Sequence, residues 1–510
     1  MCGILFYKSS VEIDDLTFRR ALDKQIWRGP DASGTLRARD GIMIGHVRLS
    51  IQDLSPAADQ PMNSDNGRYC IIFNGEIYNH KNLRKILLLK CKTSSDTETI
   101  LEGFSAVGEK IFPMLDGMFS IVIVDKNTGD WWAARDRFGI KPLYILKTNN
   151  KTIISSETIS IRSIVECSVS EQSISEWKII RRPLPGFTFF NEISEVIPGT
   201  IYFNGNISSR IKRREYDVNP EEFNQHKIEN LIKKSIRNHE LSDVENVCLL
   251  SGGIDSTIIA AISSVKKAYT VGNQDNNEFK EAQLTAEFLK MDLIEVNVHP
   301  DDLRNSWEFL IRLRGEPLSV PNEGLIYLAC AAMGSKEKVV LTGEGADEIF
   351  FGYDNIFRSA IENTTAISTA DFLKTYGYAS VSCNTERLFD YIDELRGSKS
   401  NIAFLEDFFL DVHLPGLLRR MDGASMAASK EARVPFVTMD ILSYMYRQPP
   451  SEKINRYFSK IPLRNILESF NIQGPLQRKK IGFSSTATKS MSRIDEYEFF
   501  RSFNLDVLGW

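Results

Sequence analysis

The chain has 510 residues, with 62 lysines and arginines against 67 aspartates and glutamates and a net charge of -5. That length exceeds what one hydrophobic core serves, so two domains of roughly 200 residues or more are expected, and the interspersed charges leave no basic footprint for nucleic acid. No run of about 18 apolar residues is present to span a bilayer, no signal-peptide pattern opens the chain, and seven scattered cysteines and six histidines show neither disulfide nor zinc spacing, so a soluble cytoplasmic protein is expected.

The chain begins Met1-Cys2-Gly3-Ile4-Leu5-Phe6-Tyr7, an apolar strand with a cysteine at its second position. Removal of Met1 would leave Cys2 with a thiol and a free α-amine of pKa about 8, able to take the thiol proton without a histidine. An isolated cysteine there is more often a small buried residue, so its neighbours decide. Arg48, in Gly45-His46-Val47-Arg48-Leu49-Ser50-Ile51, has the fork to grip an α-carboxylate. The buried strand from Ile71 is expected to break at Asn74-Gly75. There the Asn74 side chain and the Gly75 N–H would form an oxyanion hole, since glycine lets backbone approach a tetrahedral centre; Glu76 would then face an ammonium group. Asp96, within Ser95-Asp96-Thr97-Glu98, is either a helix cap or a second ammonium partner. Taken singly, Asn-Gly is a hairpin turn, Asp96 a cap and Arg48 a surface charge.

Together, Cys2-Gly3-Ile4, Arg48-Leu49-Ser50-Ile51, Asn74-Gly75-Glu76-Ile77-Tyr78-Asn79-His80 and Asp96 resemble the class II glutamine amidotransferase domain, as do the strings 115–119, 134–144 and 155–157. The resemblance implies an N-terminal-nucleophile (αββα) glutaminase, two antiparallel sheets stacked between helices. It makes Cys2 the nucleophile and Asn74 and Gly75 the oxyanion donors. Arg48, Leu49, Ser50, Ile51, Asn74, Gly75, Glu76 and Asp96 become the glutamine-binding set. The domain is expected over 1–205, with a last hairpin at Asn204-Gly205-Asn206. A linker over 206–224 carries the basic knot Arg210, Lys212, Arg213 and Arg214, and a second domain follows over 225–510.

Further on, Val247-Cys248-Leu249-Leu250 runs into Ser251-Gly252-Gly253-Ile254-Asp255-Ser256-Thr257 and then Ile258-Ile259-Ala260-Ala261. This reads as strand, tight loop and helix N-terminus, an anion site built from backbone N–H groups, the helix dipole and the Ser251, Ser256 and Thr257 hydroxyls. The lysine of a Walker A loop is missing. Asp255 inside a phosphate cradle requires a divalent cation between carboxylate and ligand, so Mg²⁺ and pyrophosphate are expected. The stretch resembles the PP-loop of the ATP pyrophosphatases. Strands alternating with helices predict a doubly wound parallel sheet, with Val271 beside the adenine and the acidic loop Thr342-Gly343-Glu344-Gly345-Ala346-Asp347-Glu348 facing the same crevice. The stretch 421–436 reads as a small-residue, close-packed helix leading into an extended Pro segment, and its Glu431 and Arg433 form a candidate buried pair. Arg478-Lys479-Lys480 supplies candidate cations for phosphate.

Both halves are similar to glutamine-hydrolysing asparagine synthetases. That resemblance assigns Leu250, Ser251, Gly252, Gly253, Asp255, Ser256, Val271, Thr342, Gly343 and Lys480 to ATP, Glu344 and Asp347 to the acyl-adenylate, and Asp255 and Asp347 to Mg²⁺. It implies ATP, glutamine and aspartate as substrates and a homodimer by precedent. The chain departs from the family pattern at Phe351, Gly423 and Val437-Thr438, which leaves amidation of another carboxylate, such as a uronic acid, as the alternative.

Overall fold

The computed structural model describes residues 2–211, 221–273, 277–363, 365–378, 384–476 and 493–510. Its N-terminal part is two six-stranded antiparallel sheets. The first runs in spatial order Ser194–Glu195, Tyr144–Lys147, Lys151–Ser155, Gly3–Ser9, Ile42–Arg48, Ala32–Arg39; the second runs Asn206–Arg210, Thr200–Phe203, Trp131–Arg135, Gly117–Asp125, Tyr69–Ile77, Met62–Asn63. The two-residue period of the strands decides which face is which. Ile4, Phe6, Ile42, Ile44, Cys70, Ile72, Val122 and Val124 meet between the sheets. Their alternates turn outward under helices: Leu5, Tyr7 and Met43 under Phe18, Ala21 and Leu22 of helix Asp15–Asp23, and Ile71, Phe73, Ile121 and Ile123 under Ile100, Leu101 and Phe104 of helix Asp96–Val107. This is the expected αββα sandwich.

Two expectations are corrected. The strand does not break at Asn74-Gly75; it runs unbroken over Tyr69–Ile77, with Asn74 opposite Ser120 and Gly75 opposite Phe119. Glycine makes this possible, since Gly75 has φ +155° and a Cβ there would lie 2.0 Å from the Met118 carbonyl oxygen. Residues 206–210 are not linker either. Asn206–Arg210 is the edge strand of the second sheet, paired with Thr200–Phe203, because the Asn204-Gly205 turn returns the chain onto that edge.

The C-terminal part opens with the charged helix Gln225–His239 and contains a five-stranded, all-parallel sheet in the order Asp292–Asn297, Lys267–Gly272, Glu245–Leu249, Glu337–Leu341, Glu431–Arg433. Parallel strands are covered on both faces. Val247 and Leu249 pack toward one helical layer with Trp307, Leu310 and Leu325; Cys248 and Leu250 pack toward the other with Ile232, Ile258 and Ile466. A third, aromatic-rich layer of helices over residues 354–408 encloses Phe357, Phe372, Phe404 and Phe408 and takes in Ile179 and Ile180 from the N-terminal part. Among the described residues no helix is long and apolar enough to cross a membrane.

The parts are joined by buried charge. Arg28, fully buried, donates from Nε to the Cys2 carbonyl (3.0 Å), from Nη1 to Glu157 (2.7 Å) and from Nη2 to Asp422 (2.9 Å) of the small-residue helix Leu414–Ala427, while Lys141 lies 3.5 Å from the same carboxylate. Removing one member of such a set strands the others in a low dielectric. Asp422→Ala is therefore expected to destabilise the protein by about 3–5 kcal/mol, read as a lowered urea midpoint. A loss below about 1 kcal/mol, the range of an exposed pair, would show that the seam is open to water.

Candidate active sites

Cys2 directly precedes the strand Gly3–Ser9 of the N-terminal sandwich and is buried. Its backbone N–H donates to Asn74 Oδ1 at 3.0 Å, which fixes the Asn74 amide. Nδ2 is left as a buried donor without a partner. A donor orphaned beside a nucleophile is the geometry an oxyanion needs. Burial pushes the Cys2 thiol up, opposed by the chain's amino terminus, the Leu49 N–H and the Arg48 charge. Ser50 N–H is held by Asp31 (2.7 Å), and the Ile51 carbonyl accepts from Asp243 N–H (2.9 Å); Leu49 and Ile51 are buried.

Arg48 differs from the open fork expected of it. Its terminal nitrogens donate to Ser55 O (3.0 Å), Gln52 O (3.3 Å), Asp53 O and Asp59 (2.6 Å). The guanidinium thus organises loop 52–59, whose carbonyls satisfy the donors a carboxylate would have used. Asp96 is not the cap: Ser95 caps helix Asp96–Val107 through Thr97 N–H, which leaves the Asp96 carboxylate to accept from Ile77 N–H at 2.9 Å. Glu76 accepts from Gln52 and faces Arg433 Nη2 at 3.4 Å.

Arg433 comes from the C-terminal sheet and has no exposed surface. It donates from Nε to Glu431 (2.6 Å) and from Nη1 to His239 O (2.8 Å) and Leu241 O (2.7 Å). The expected Glu431–Arg433 pair therefore exists and closes onto the Cys2 side of the molecule. Glu76, Asp96 and Glu431 gather around this guanidinium. Burial holds Glu76 well above the ordinary carboxylate range and lifts Asp96 to about 6. Carboxylates raised in this way invite a cation, as an α-ammonium would supply.

In the C-terminal part, helix Ile254–Ile262 starts directly after loop 251–253, with Gly253 at its cap and Asp255 in its first turn. Gly252 has φ +68° and lies so close to helix Phe279–Leu289 that a Cβ would be 2.7 Å from the Glu281 carbonyl carbon. The serines differ from the free donors expected: Ser256 Oγ accepts from Ser251 N–H (3.1 Å), and Ser251 Oγ accepts from Gly253 N–H (3.3 Å), bonds that shape the loop. Thr257 Oγ1 is buried without a partner. Leu250, Val271 and Thr342 are buried; Thr342 N–H donates to Arg433 O at 2.9 Å. Gly343 lies against Asp255, where a Cβ would come within 2.8 Å of the Asp255 Cβ, so the acidic loop and loop 251–253 do share one crevice. Glu344 pairs with Arg420 at 2.6 Å.

Lys460 was not singled out by the sequence, having no motif around it. Its ammonium lies 2.6 Å from both Asp255 and Asp347, so a single cation reaches both carboxylates. Asp255 Oδ1 is a buried oxygen without a hydrogen-bond partner. Two convergent carboxylates with a spare oxygen fit a hard divalent cation. Lys480, the phosphate cation expected from sequence, lies outside the described residues. The departures have local causes: Gly423 lets Arg314 pack against its helix, where a Cβ would be 3.0 Å from Nη1, Val437 fills the space a Cβ on Gly345 would need, and Phe351 stacks on Phe357 at 4.0 Å.

Comparison with known proteins agrees with this division. Residues 1–216 match the glutamine amidotransferase domain, and residues 227–501, more than half the chain, match asparagine synthase. The chain belongs to the asparagine synthase family. An asparagine synthetase [glutamine-hydrolyzing] of Bacillus subtilis is 28% identical over 95% of this chain and 87% of its own length. A putative asparagine synthetase of Mycobacterium bovis is 27% identical over 89% and 82%, and amidase chry2 of Gibberella zeae is 28% identical over 88% and 68%. A Bacillus subtilis glutamine phosphoribosylpyrophosphate amidotransferase aligns at 14% identity over 67% of this chain and 82% of that one with a TM-score of 0.33, too low to bear on the fold.

Two outcomes test the first site. Asn74→Ala is expected to lower kcat for glutamine hydrolysis about 100- to 1000-fold, the usual cost of one oxyanion donor, with glutamate release as the assay; a loss under about fivefold, far below that range, would remove Asn74 from the oxyanion hole. Because Asp96 titrates at about 6 and a carboxyl in the unfolded chain at about 3.9, its contribution to stability is present below about pH 4 and lost as pH rises through about 6. Asp96→Asn is therefore expected to stabilise the protein at pH 7 while raising KM for glutamine. If Asp96 receives a substrate ammonium, kcat/KM of the unaltered protein should fall below about pH 6 as its carboxylate is neutralised. Flat stability and a flat profile from pH 5 to 8 would contradict both.

Proposed function

We propose that this protein transfers the amide nitrogen of glutamine to the side-chain carboxylate of aspartate, forming asparagine, glutamate, AMP and pyrophosphate. The observation that supports this best is that one chain holds a nucleophile with an orphaned oxyanion donor, Cys2 and Asn74, and a phosphate-loop crevice with convergent acids, Asp255, Asp347 and Glu344. Family membership supplies the reaction class, and the asparagine synthetases among the relatives favour asparagine as the product.

In the first half-reaction the Cys2 thiolate attacks the glutamine side-chain carbon, and Asn74 Nδ2 with Gly75 N–H receives the oxyanion. Ammonia leaves, and water releases glutamate from the thioester. The buried carboxylates Glu76 and Asp96 hold the glutamine α-ammonium. In the second, the acceptor carboxylate displaces pyrophosphate from the α-phosphorus of ATP, so that its oxygen becomes part of a leaving group, AMP. Asp255 and Asp347 would hold Mg²⁺, which would supply the positive charge that screens the phosphates. Ammonia attacks the acyl-adenylate, and Glu344, steered by Arg420, takes the surplus proton of the tetrahedral intermediate. Ammonia in bulk water near neutral pH is mostly ammonium and inert, so the buried seam between the sites is its route.

Cys2→Ala is expected to abolish glutamine-dependent synthesis and keep ammonia-dependent synthesis within about twofold, since the thiol serves only ammonia release. With aspartate the unaltered protein should release AMP and asparagine in equal amounts, and with glucuronate neither. AMP formed only with a sugar acid would refute aspartate and leave the amidotransferase standing.

A further inference from the structure

Next to Arg420, the partner of Glu344, lies a small half-open cleft whose wall includes Arg181, Arg182, Tyr376, His413 and Arg420. Of its three arginines, Arg182 is neutralised by Glu195 (2.6 Å) and Arg420 by Glu344 (2.6 Å). Arg181 meets no carboxylate among the described residues. Its terminal nitrogens donate to the hydroxyls of Tyr378 (3.1 Å) and Tyr376 (2.9 Å) and to His413 Nδ1 (3.0 Å). That histidine is neutral, since burial and the nearby Arg181 and Arg420 lower its affinity for a proton, and its Nε2 meets the Tyr353 hydroxyl (2.8 Å), which donates to Glu348 (2.5 Å). Neutral partners orient a guanidinium without cancelling its charge.

The backbone adds an independent observation. Arg181 follows helix Glu171–Ile180 at its C-cap with φ +69° and ψ 11°, a left-handed position that glycine favours. An arginine kept in a glycine position, with its charge uncompensated on a cavity wall, marks a residue retained for its side chain. Arg181 belongs to the glutamine amidotransferase domain, whereas Glu344 and Arg420 belong to the asparagine synthase domain.

We propose that Arg181 determines acceptor specificity: it binds the second carboxylate of a dicarboxylic acceptor, while the first is activated beside Glu344. This rests on the reading above that an acid is adenylated in this crevice. The N-terminal domain then completes the acceptor site of its neighbour. A fork-to-carboxylate contact would also disfavour an acid with one carboxylate, which would leave the guanidinium charge without a carboxylate.

The test compares aspartate with β-alanine, which keeps the reacting carboxylate and the amine but lacks the second carboxylate. Pyrophosphate release is measured with ammonium chloride as nitrogen source. Arg181→Gly suits the left-handed backbone, so it should fold and hydrolyse glutamine normally. It is expected to raise KM for aspartate about thirtyfold or more, the scale of a lost charge-assisted pair, and to collapse the preference for aspartate over β-alanine. Arg181→Lys should restore part of both. An unchanged KM and preference in Arg181→Gly would overturn the proposal. Failure of the unaltered protein to release pyrophosphate with any acid would instead overturn the underlying function.

Discussion

A fully buried guanidinium, that of Arg433, joins the two halves of this molecule into one chemical unit. A charge without solvent persists only when opposite charge and hydrogen-bond acceptors surround it, and here that condition recruits two carbonyls at the end of helix Gln225–His239, the Glu431 carboxylate and, as an ion pair at 3.4 Å, Glu76 from the N-terminal part. The same residue's carbonyl accepts from Thr342, so the short strand Glu431–Arg433 touches the acidic loop on one side and Glu76 of the N-terminal sandwich on the other. Its parallel register with Val339–Leu341 is therefore more than sheet extension; it sets how closely the two crevices approach.

The balance of charge around that guanidinium matters as much as its contacts. Three carboxylates, Glu76, Asp96 and Glu431, face one arginine, and burial keeps Glu76 and Asp96 from ionising as freely as they would in water. An α-ammonium entering the pocket supplies the missing positive charge. The crevice of the C-terminal domain uses the same device: Asp255 and Asp347 converge on the Lys460 ammonium, and a site able to hold one cation between two acids is organised for the metal that accompanies a polyphosphate. Each candidate site is thus arranged around a deficit of positive charge, and the cleft lined by Arg181 and Arg420 around a surplus of it at Arg181.

Close approach by glycine is the second means of construction. Gly75 sits where any side chain would run into the Met118 carbonyl, so its lack of a Cβ lets the strand pass Asn74 without losing register. Gly343 lets the acidic loop lie on the Asp255 backbone. Neither contact could be anticipated from Asn-Gly or Thr-Gly as dipeptides, which carry turn propensities only.

Local pattern was enough to read the parallel sheet and the strand, tight loop and helix around Asp255, because strand periodicity and tight-loop chemistry are written in consecutive residues; the αββα sandwich was legible only through the family resemblance carried by the strings around Cys2, Arg48, Asn74 and Asp96 together. Both misjudged what depends on neighbours in space. The strand through Gly75 is held by pairing with Gly117–Asp125, and Asn206–Arg210 became a strand because an edge was available. Arg48 is saturated by carbonyls of a loop whose path no local pattern reveals, and Ser95, not Asp96, proved to be the cap. Lys460, Arg181 and Arg28 carry no motif at all; their importance comes from burial and from partners tens to hundreds of residues away. The sequence alone determined which chemical groups this protein possesses and which short elements carry them. Only the tertiary structure decided which charges are left uncompensated and face each other, because the cost of a buried charge is set by what surrounds it and not by its place in the chain.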